Sequence, residues 1–358
     1  MEDARPRRVA LRTPSAAPCA MLYLAPLSLG VPVIRTAGDT LKPEDAMHGR
    51  RTRPTVRADP EGVADAAEYF FCVMARSNVE PERVYEFVDH YESEGADRIF
   101  IMEDSTADHV NVSAFPRVES RRVRLTNDQG GDLTRFVQPL KDKCTWIASV
   151  DIDEFLTTKK HAARTVREEL QQSFDDVDLI HVPWVYMSFD PNVDHAKSLR
   201  EECVYRWDYN KKHSTEFRHC ADISYALNSK GVIRSRRLSH FDDPHRVVMV
   251  NESIIVQGHP NRIAPTSDSN IVLRFHEKDL SETLLALYHY RFGDMNDLLR
   301  RAEKCDRQEV GNFARCHGNS SATTDSYLKF CNYREVHDDT LKNKVASRKS
   351  SLRERRHS

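Results

Sequence analysis

The stretch that decides the reading is Trp146-Ile147-Ala148-Ser149-Val150-Asp151-Ile152-Asp153-Glu154-Phe155. Ile147–Val150 is a short, mostly apolar run of the kind that forms a buried strand, and it ends in three carboxylates within four residues. Continued alternation would put Asp151 and Asp153 on one face and Ile152 on the other. Carboxylates set so close repel one another unless a cation or a cluster of donors lies among them. At the carboxyl end of a central strand, that pattern suggests an oxygen-ligand site for Mg²⁺ or Mn²⁺ carrying a substrate phosphate. The competing reading is a strand that runs into a solvated polar turn, since D-x-D alone is a short signal.

Working outward, Tyr69–Met74 is an aromatic-rich apolar strand. Pro81 then suits the first turn of a helix. Val84, Phe87, Val88 and Tyr91 carry the helical spacing over 82–94, and Gly95 ends it. Arg98–Met102 reads as the next strand, which makes a β-α-β unit. A short strand at Arg121–Leu125, a turn at 127–131 and a helix over 134–143 lead into the quoted stretch. Beyond it come a helix at 165–174 and a strand from Asp178 into the aromatic run Trp184–Phe189. Residues 190–222 are charged and irregular and read as a surface loop or lid. Strand character returns at Gly231–Ser235 and Arg246–Ile255, separated by 238–243. Thr283–Tyr290 is apolar, a charged helix covers 295–304, and Arg348–Ser358 reads as a solvated basic tail. The expected organisation is a leader and linker over 1–66, a single α/β domain over 67–310 and a C-terminal extension over 311–358.

A formal net charge of −2 over 358 residues argues against a general nucleic-acid binder. The sixteen histidines form no H-E-x-x-H pair, which leaves a zinc-protease reading without support. None of the eight cysteines belongs to a C-x-x-C pair. Cys72 and Cys144 lie in or beside apolar runs and read as small core residues. Cys305, Cys316 and Cys331 are the candidates for a disulfide in a secretory lumen. Met21–Ile34, preceded by four arginines, has the arrangement of a degenerate targeting segment, but it is short and holds Pro26 and Pro32. Membrane association would come through that segment alone, and a Golgi or secretory lumen is favoured over the cytoplasm.

Three segments taken in order resemble the GT-A glycosyltransferases, in particular glycosyltransferase family 92 and the family 2-like domains. The first holds Arg76, Asn78 and Glu80, then Glu86-Phe87-Val88-Asp89-His90-Tyr91, Gly95 and Ile99–Asp104. The second is Asp151-Ile152-Asp153-Glu154-Phe155, similar to the family's metal-binding strand end, and the third is Tyr288-His289-Tyr290-Arg291. The sequence departs from the family in interleaving Ser77 and Val79 within the basic-Asn-Glu triplet. The resemblance implies a GT-A fold, with one central mixed sheet flanked by helices. It implies transfer of a sugar, galactose among the candidates, from a UDP-sugar to a glycan or glycoconjugate, with inversion and with Mn²⁺ or Mg²⁺. By that resemblance Asp153 is a direct metal ligand, Asp151 a ligand or a ribose contact, and His289 a third ligand. Glu80 and Asp104 would hold base and ribose, and Arg76 the diphosphate.

An inverting transfer also needs a carboxylate to take the acceptor proton. Asp242 and Asp243 beside His240 are the candidates, with Asp190 and Asp222 behind them. Two alternatives stand: a non-catalytic carbohydrate-binding relative, and a D-x-D phosphatase of haloacid-dehalogenase type. The second meets an obstacle in Phe155, which takes a place usually held by Thr or Val.

Overall fold

The run that opens the sequence reading is the middle of a sheet. In the computed structural model, residues 67–77, 81–104, 111–124, 126, 128–193, 196–211, 226–250, 253–259, 271–273, 277–306, 324–325, 327–329 and 332–357 are described. The chain divides into residues 1–63 and 64–358. The leader, the apolar run Met21–Ile34, Glu80, Asp222, Cys316 and Cys331 lie outside the described residues, as does the side chain of Cys305.

In chain order the elements are β1 (Tyr69–Ser77), α1 (Pro81–Ser93), β2 (Arg98–Asp104), β3 (Val118–Val123), α2 (Gln129–Val137), β4 (Cys144–Asp151), β5 (Glu154–Thr158) and α3 (Val166–Ser173). There follow β6 (Leu179–Ser188), α4 (Leu199–Glu202), β7 (Tyr205–Arg206), β8 (Ala226–Arg234), β9 (Leu238–Asp243), β10 (Arg246–Met249), β11 (Ile255–Val256) and β12 (Ile271–Leu273). The last are α5 (Glu277–Glu282), β13 (Leu285–His289), α6 (Met295–Asp306), β14 (Val336–His337) and α7 (Thr340–His357). The central sheet runs β14-β7-β6-β8-β4-β1-β2-β3. β3, β2, β1 and β4 are mutually parallel, and β8 is antiparallel to both β4 and β6. β13 curls the sheet by pairing parallel with the end of β6 and antiparallel with β5. The architecture is a mixed α/β fold with a curled central sheet flanked by helices.

The period-2 pattern of β1 explains its two-sided burial. Phe71, Val73 and Ala75 share an apolar layer with Val84, Phe87, Val88 and Tyr91 of α1. Cys72 and Met74 face the opposite layer, with Leu133, Phe136 and Val137 of α2. Gly95, at φ +86°, supplies the left-handed residue that ends α1. Thr165 and Glu168 form a reciprocal capping box at the start of α3.

Several expectations are corrected. Cys72 and Cys144 are not free core residues, because they form a disulfide between the adjacent strands β1 and β4. The alternation expected through Asp153 stops at Asp151. Residues 152–153 turn the chain into β5, and Asp153 O accepts from Tyr290 N at 2.9 Å. Residues 199–209 are no surface loop, since Trp207 and Tyr209 are 2% and 3% exposed. The Tyr209 hydroxyl donates to Trp184 O and accepts from Tyr186 N, at 3.0 and 2.9 Å. Residues 238–243 form a strand paired with β10. The basic tail from Arg348 is the end of α7, with Arg348 bonded to Ser93 O at 2.6 Å.

Candidate functional site

The parallel strands end together, and their carboxyl edge is where such a sheet presents polar groups to a ligand. Register places Arg76 beside Asp151 on one side and Met102 on the other. The Arg76 guanidinium makes no hydrogen bond or ion pair among the described residues, and its Nε is buried. Asp104 is the last residue of β2; its side chain lies outside the described residues. Its neighbour Glu103 is buried and accepts from Ser120.

Asp151, Asp153 and His289 do converge, but not as three equal ligands. The Asp151 carboxylate is held by Lys230 of β8, Oδ2 to Nζ 2.7 Å. The same ammonium stands 3.8 Å from Glu154 Oε2, which accepts from Asp151 N at 2.8 Å. Asp153 faces His289 instead, Oδ2 to Nε2 3.5 Å, because β13 sets His289 directly opposite Glu154. Exposure separates the acids. The Asp151 and Asp153 side chains are 39% and 31% exposed, while Glu154 is fully covered and Lys230 is 3% exposed. A ligand therefore meets Asp151 and Asp153, with Lys230 and Glu154 beneath them.

The electrostatics follow from that burial. Desolvation pushes Glu154 well above the ordinary carboxylate range and outweighs the pull of Lys230. Burial also works against charge on Asp151, yet Lys230 overcomes it and holds that carboxyl below its usual value. Burial disfavours the Lys230 ammonium in turn, but Asp151 and Glu154 outweigh it and keep it charged.

An aromatic wall backs these groups. The Trp184 ring lies 4.2 Å from His289 and 4.9 Å from His245, and the Tyr186 ring is 5.7 Å from His289. Trp184 Nε1 and His289 Nδ1 are buried with no hydrogen-bond partner. His245 belongs to the β9–β10 turn and accepts or donates at Nδ1 against Ser229 O, 3.2 Å away. Burial drives its pKa down to about 4, so it stands neutral.

The two acids named as proton acceptors sit on that same hairpin. Asp242 is engaged by His240 and Arg246 at 3.1 and 3.2 Å, on the solvent side. Asp243 accepts from His245 N at 2.6 Å and fixes the turn. Asp190 is half-exposed and pairs with Arg334 at 3.3 Å.

The sequence reading missed Lys230 and His245; Trp184 and Tyr186 were candidates for stacking on a sugar ring, and the structure puts them beside His289. For Lys230 a signal existed: a lysine between Ser229 and Gly231, inside a strand that ends in Val232 and Ile233, needs a buried partner. For His245 none existed, because its role depends on where the hairpin folds.

Among the described residues no three His, Cys, Asp or Glu side chains form a closed metal-binding cluster. The donors that fit a divalent cation are Asp153 and His289, one carboxylate and one imidazole. Mg²⁺ and Mn²⁺ in phosphate-binding sites commonly take few protein ligands and fill the rest with phosphate oxygens and water.

No family model matches the chain, and no curated protein is similar to it. A solved mycobacterial protein is 18% identical over 36% of this chain at a TM-score of 0.25, and this chain spans 47% of its length. The mannosyltransferase PcManGT from Pyrobaculum calidifontis, solved with GDP-Man and Mn²⁺, is 11% identical over 80% of this chain and 76% of its own, at a TM-score of 0.30. Likenesses this distant identify neither a family nor an activity.

Proposed function

We propose that this chain is a glycosyltransferase of GT-A type that transfers a sugar from a nucleotide-diphosphate donor, UDP-sugars first among them, to a glycan or glycoconjugate. The observation that carries the reading is the carboxyl edge itself. There Arg76 lies in backbone register beside Asp151, its guanidinium without a hydrogen bond or ion pair among the described residues, and the Asp153–His289 pair follows at the same strand end. A bidentate guanidinium suits a diphosphate, and the aromatic wall of Trp184 and Tyr186 suits the face of a sugar ring.

In this reading Asp153 and His289 hold Mn²⁺, which when bound offsets charge on the departing diphosphate. Arg76 orients the diphosphate. Asp243, on the turn that also carries His245, takes the proton from the acceptor hydroxyl as its oxygen bonds to the anomeric carbon and the bond to the diphosphate breaks. Glu80 and Asp104 keep their assignment to ribose and base. The Cys72–Cys144 bridge supports maturation in an oxidising compartment.

The test is release of nucleotide diphosphate from a panel of UDP- and GDP-sugars, in MnCl₂ and in EDTA, with Asp153→Ala alongside. Metal-dependent release that falls at least 100-fold in a folded Asp153→Ala protein is the expected result. Unchanged release in that variant overturns the site. No release together with no binding of UDP and Mn²⁺ overturns the activity. Phosphate release from a phosphomonoester in its place would favour the D-x-D phosphatase.

A further inference from the structure

The acidic strand end presents two accessible carboxylates, Asp151 and Asp153. Here one is already taken by a fixed positive charge belonging to the protein. Lys230 is 2% exposed, its Nζ is 2.7 Å from Asp151 Oδ2, and its backbone pairs with Val182 of β6 while residues 232–234 of β8 pair with β4. An ammonium at that position does two things to an incoming divalent cation: it occupies Asp151, and it repels the cation at short range. What remains is Asp153 with His289, a residue 7% exposed, packed on Trp184, with no partner for Nδ1 among the described residues.

We propose that Lys230 is a positioning residue that keeps Asp151 out of cation coordination, so that the site takes up a divalent cation only together with the diphosphate. This rests on the nucleotide-sugar reading for the diphosphate, but not for the competition between Lys230 and the cation. Free Mn²⁺ meets one carboxylate, one imidazole and a nearby ammonium, which makes it a weak ligand. A nucleoside diphosphate brings its own oxygens and negative charge, and Arg76, in backbone register with Asp151 and without a side-chain partner among the described residues, can receive it. Lys230 thereby enforces an order: cation and donor together, with no cation resident between turnovers.

The experiment titrates MnCl₂ into the purified full chain by calorimetry and by electron paramagnetic resonance, alone and with UDP present. It compares the wild type with Lys230→Met and with Lys230→Met/Asp151→Asn. In the wild type, UDP should strengthen Mn²⁺ binding at least tenfold. Lys230→Met frees Asp151 and removes the repulsion, so Mn²⁺ alone should bind at least tenfold more tightly than to wild type. The double variant should return to the wild-type value, because it removes both members of the pair. It also leaves no uncompensated buried charge, which protects folding where Lys230→Met alone fails.

Lys230→Met that binds Mn²⁺ no better than wild type while folded, by near-ultraviolet circular dichroism, overturns the proposal. So does a folded double variant that loses Mn²⁺ binding tenfold or more, since Asp151 would then be a ligand. If UDP changes Mn²⁺ binding in no variant, the nucleotide-sugar reading fails. The comparison of the three proteins with Mn²⁺ alone still decides the role of Lys230.

Discussion

The parallel block of β1 to β4 and the region from β6 to β14 are held together by different forces. In the first, buried positions on β1, β2 and β4 are overwhelmingly apolar, and two layers against α1 and α2 account for the packing. In the second, buried charges tie distant segments. Asp338 is 8% exposed and accepts from Lys159, Arg206 and Tyr288 at 2.8, 2.9 and 3.1 Å. Arg206 also makes a bidentate pair with Glu277, both contacts 2.6 Å. Hydrophobic burial tolerates small changes of shape, whereas a buried ionic hub fails when one member is removed. The site lies where the two regions meet, with Asp151 from the first and Lys230 and His289 from the second.

The sharpest way to break this contrast is Asp338→Ala. It leaves Arg206 and Lys159 facing each other without their shared anion and should cost about 3 to 5 kcal/mol, read as the urea midpoint. A loss below about 1 kcal/mol would mean the ionic hub is dispensable.

Acid should weaken both regions: burial holds His90 of α1 well below its usual pKa, and two histidines of the second region behave alike. Burial holds His181 and His245 neutral, each with its pKa lowered to about 4. Between pH 6.5 and about 4 the unfolded chain binds protons at these two positions that the folded chain refuses. Stability is therefore full above pH 6.5 and falls as the pH drops through that window, by about 3 kcal/mol for each histidine at pH 4. Unfolding midpoints at pH 7, 5.5 and 4 should show this slope, and His181→Gln/His245→Gln should reduce it, with His90 left to supply the remainder.

The parallel block has one covalent tie, and removing it sharpens the comparison from the other side. Cys72→Ala/Cys144→Ala opens a link between residues 72 positions apart, and a loss of about 2 to 4 kcal/mol is expected. Partial proteolysis should then cut first within β1–β4. A variant as stable as the wild type would show that the apolar layers suffice.

At the small end stands Lys160→Ala. Lys160 and Glu282 pair at 2.6 Å but are 42% and 58% exposed, and water and salt screen such pairs. No measurable change in Tm is expected.

The same contrast explains what could be read from the sequence. Apolar periodicity located β1, α1, β2, β4 and β6 because each buries one face, and Gly95 marks a stop that only its φ permits. Periodicity failed where polar residues are buried. Arg206, Glu277 and Asp338 look like surface residues in a linear string and become interior only when β7, α5 and β14 meet. At the site, the strand ending in Asp151 was legible. The turn at 152–153 was not, because it is fixed by Tyr290, more than 130 positions away. The Cys72–Cys144 bridge was hidden for a related reason: only the pairing of β1 with β4 brings the two sulfurs together.

Glu94 gives this division a consequence in time. It has no exposed surface, and it accepts from Thr157 Oγ1 and Val166 N at 2.8 and 2.9 Å. Its cationic partners are Lys344 and Arg348, at 3.1 and 3.4 Å. As the chain leaves the ribosome, Glu94 emerges 250 residues ahead of Lys344. Through that interval the end of α1 carries a carboxylate whose counter-charges have not yet been made. The earlier part of the domain can collapse on its apolar layers, but it cannot lock until α7 arrives. Synthesis thus has a natural checkpoint at α7. A nascent chain halted before Lys344 should stay open to protease at the α1–α3 junction and close once Arg348 has cleared the exit tunnel.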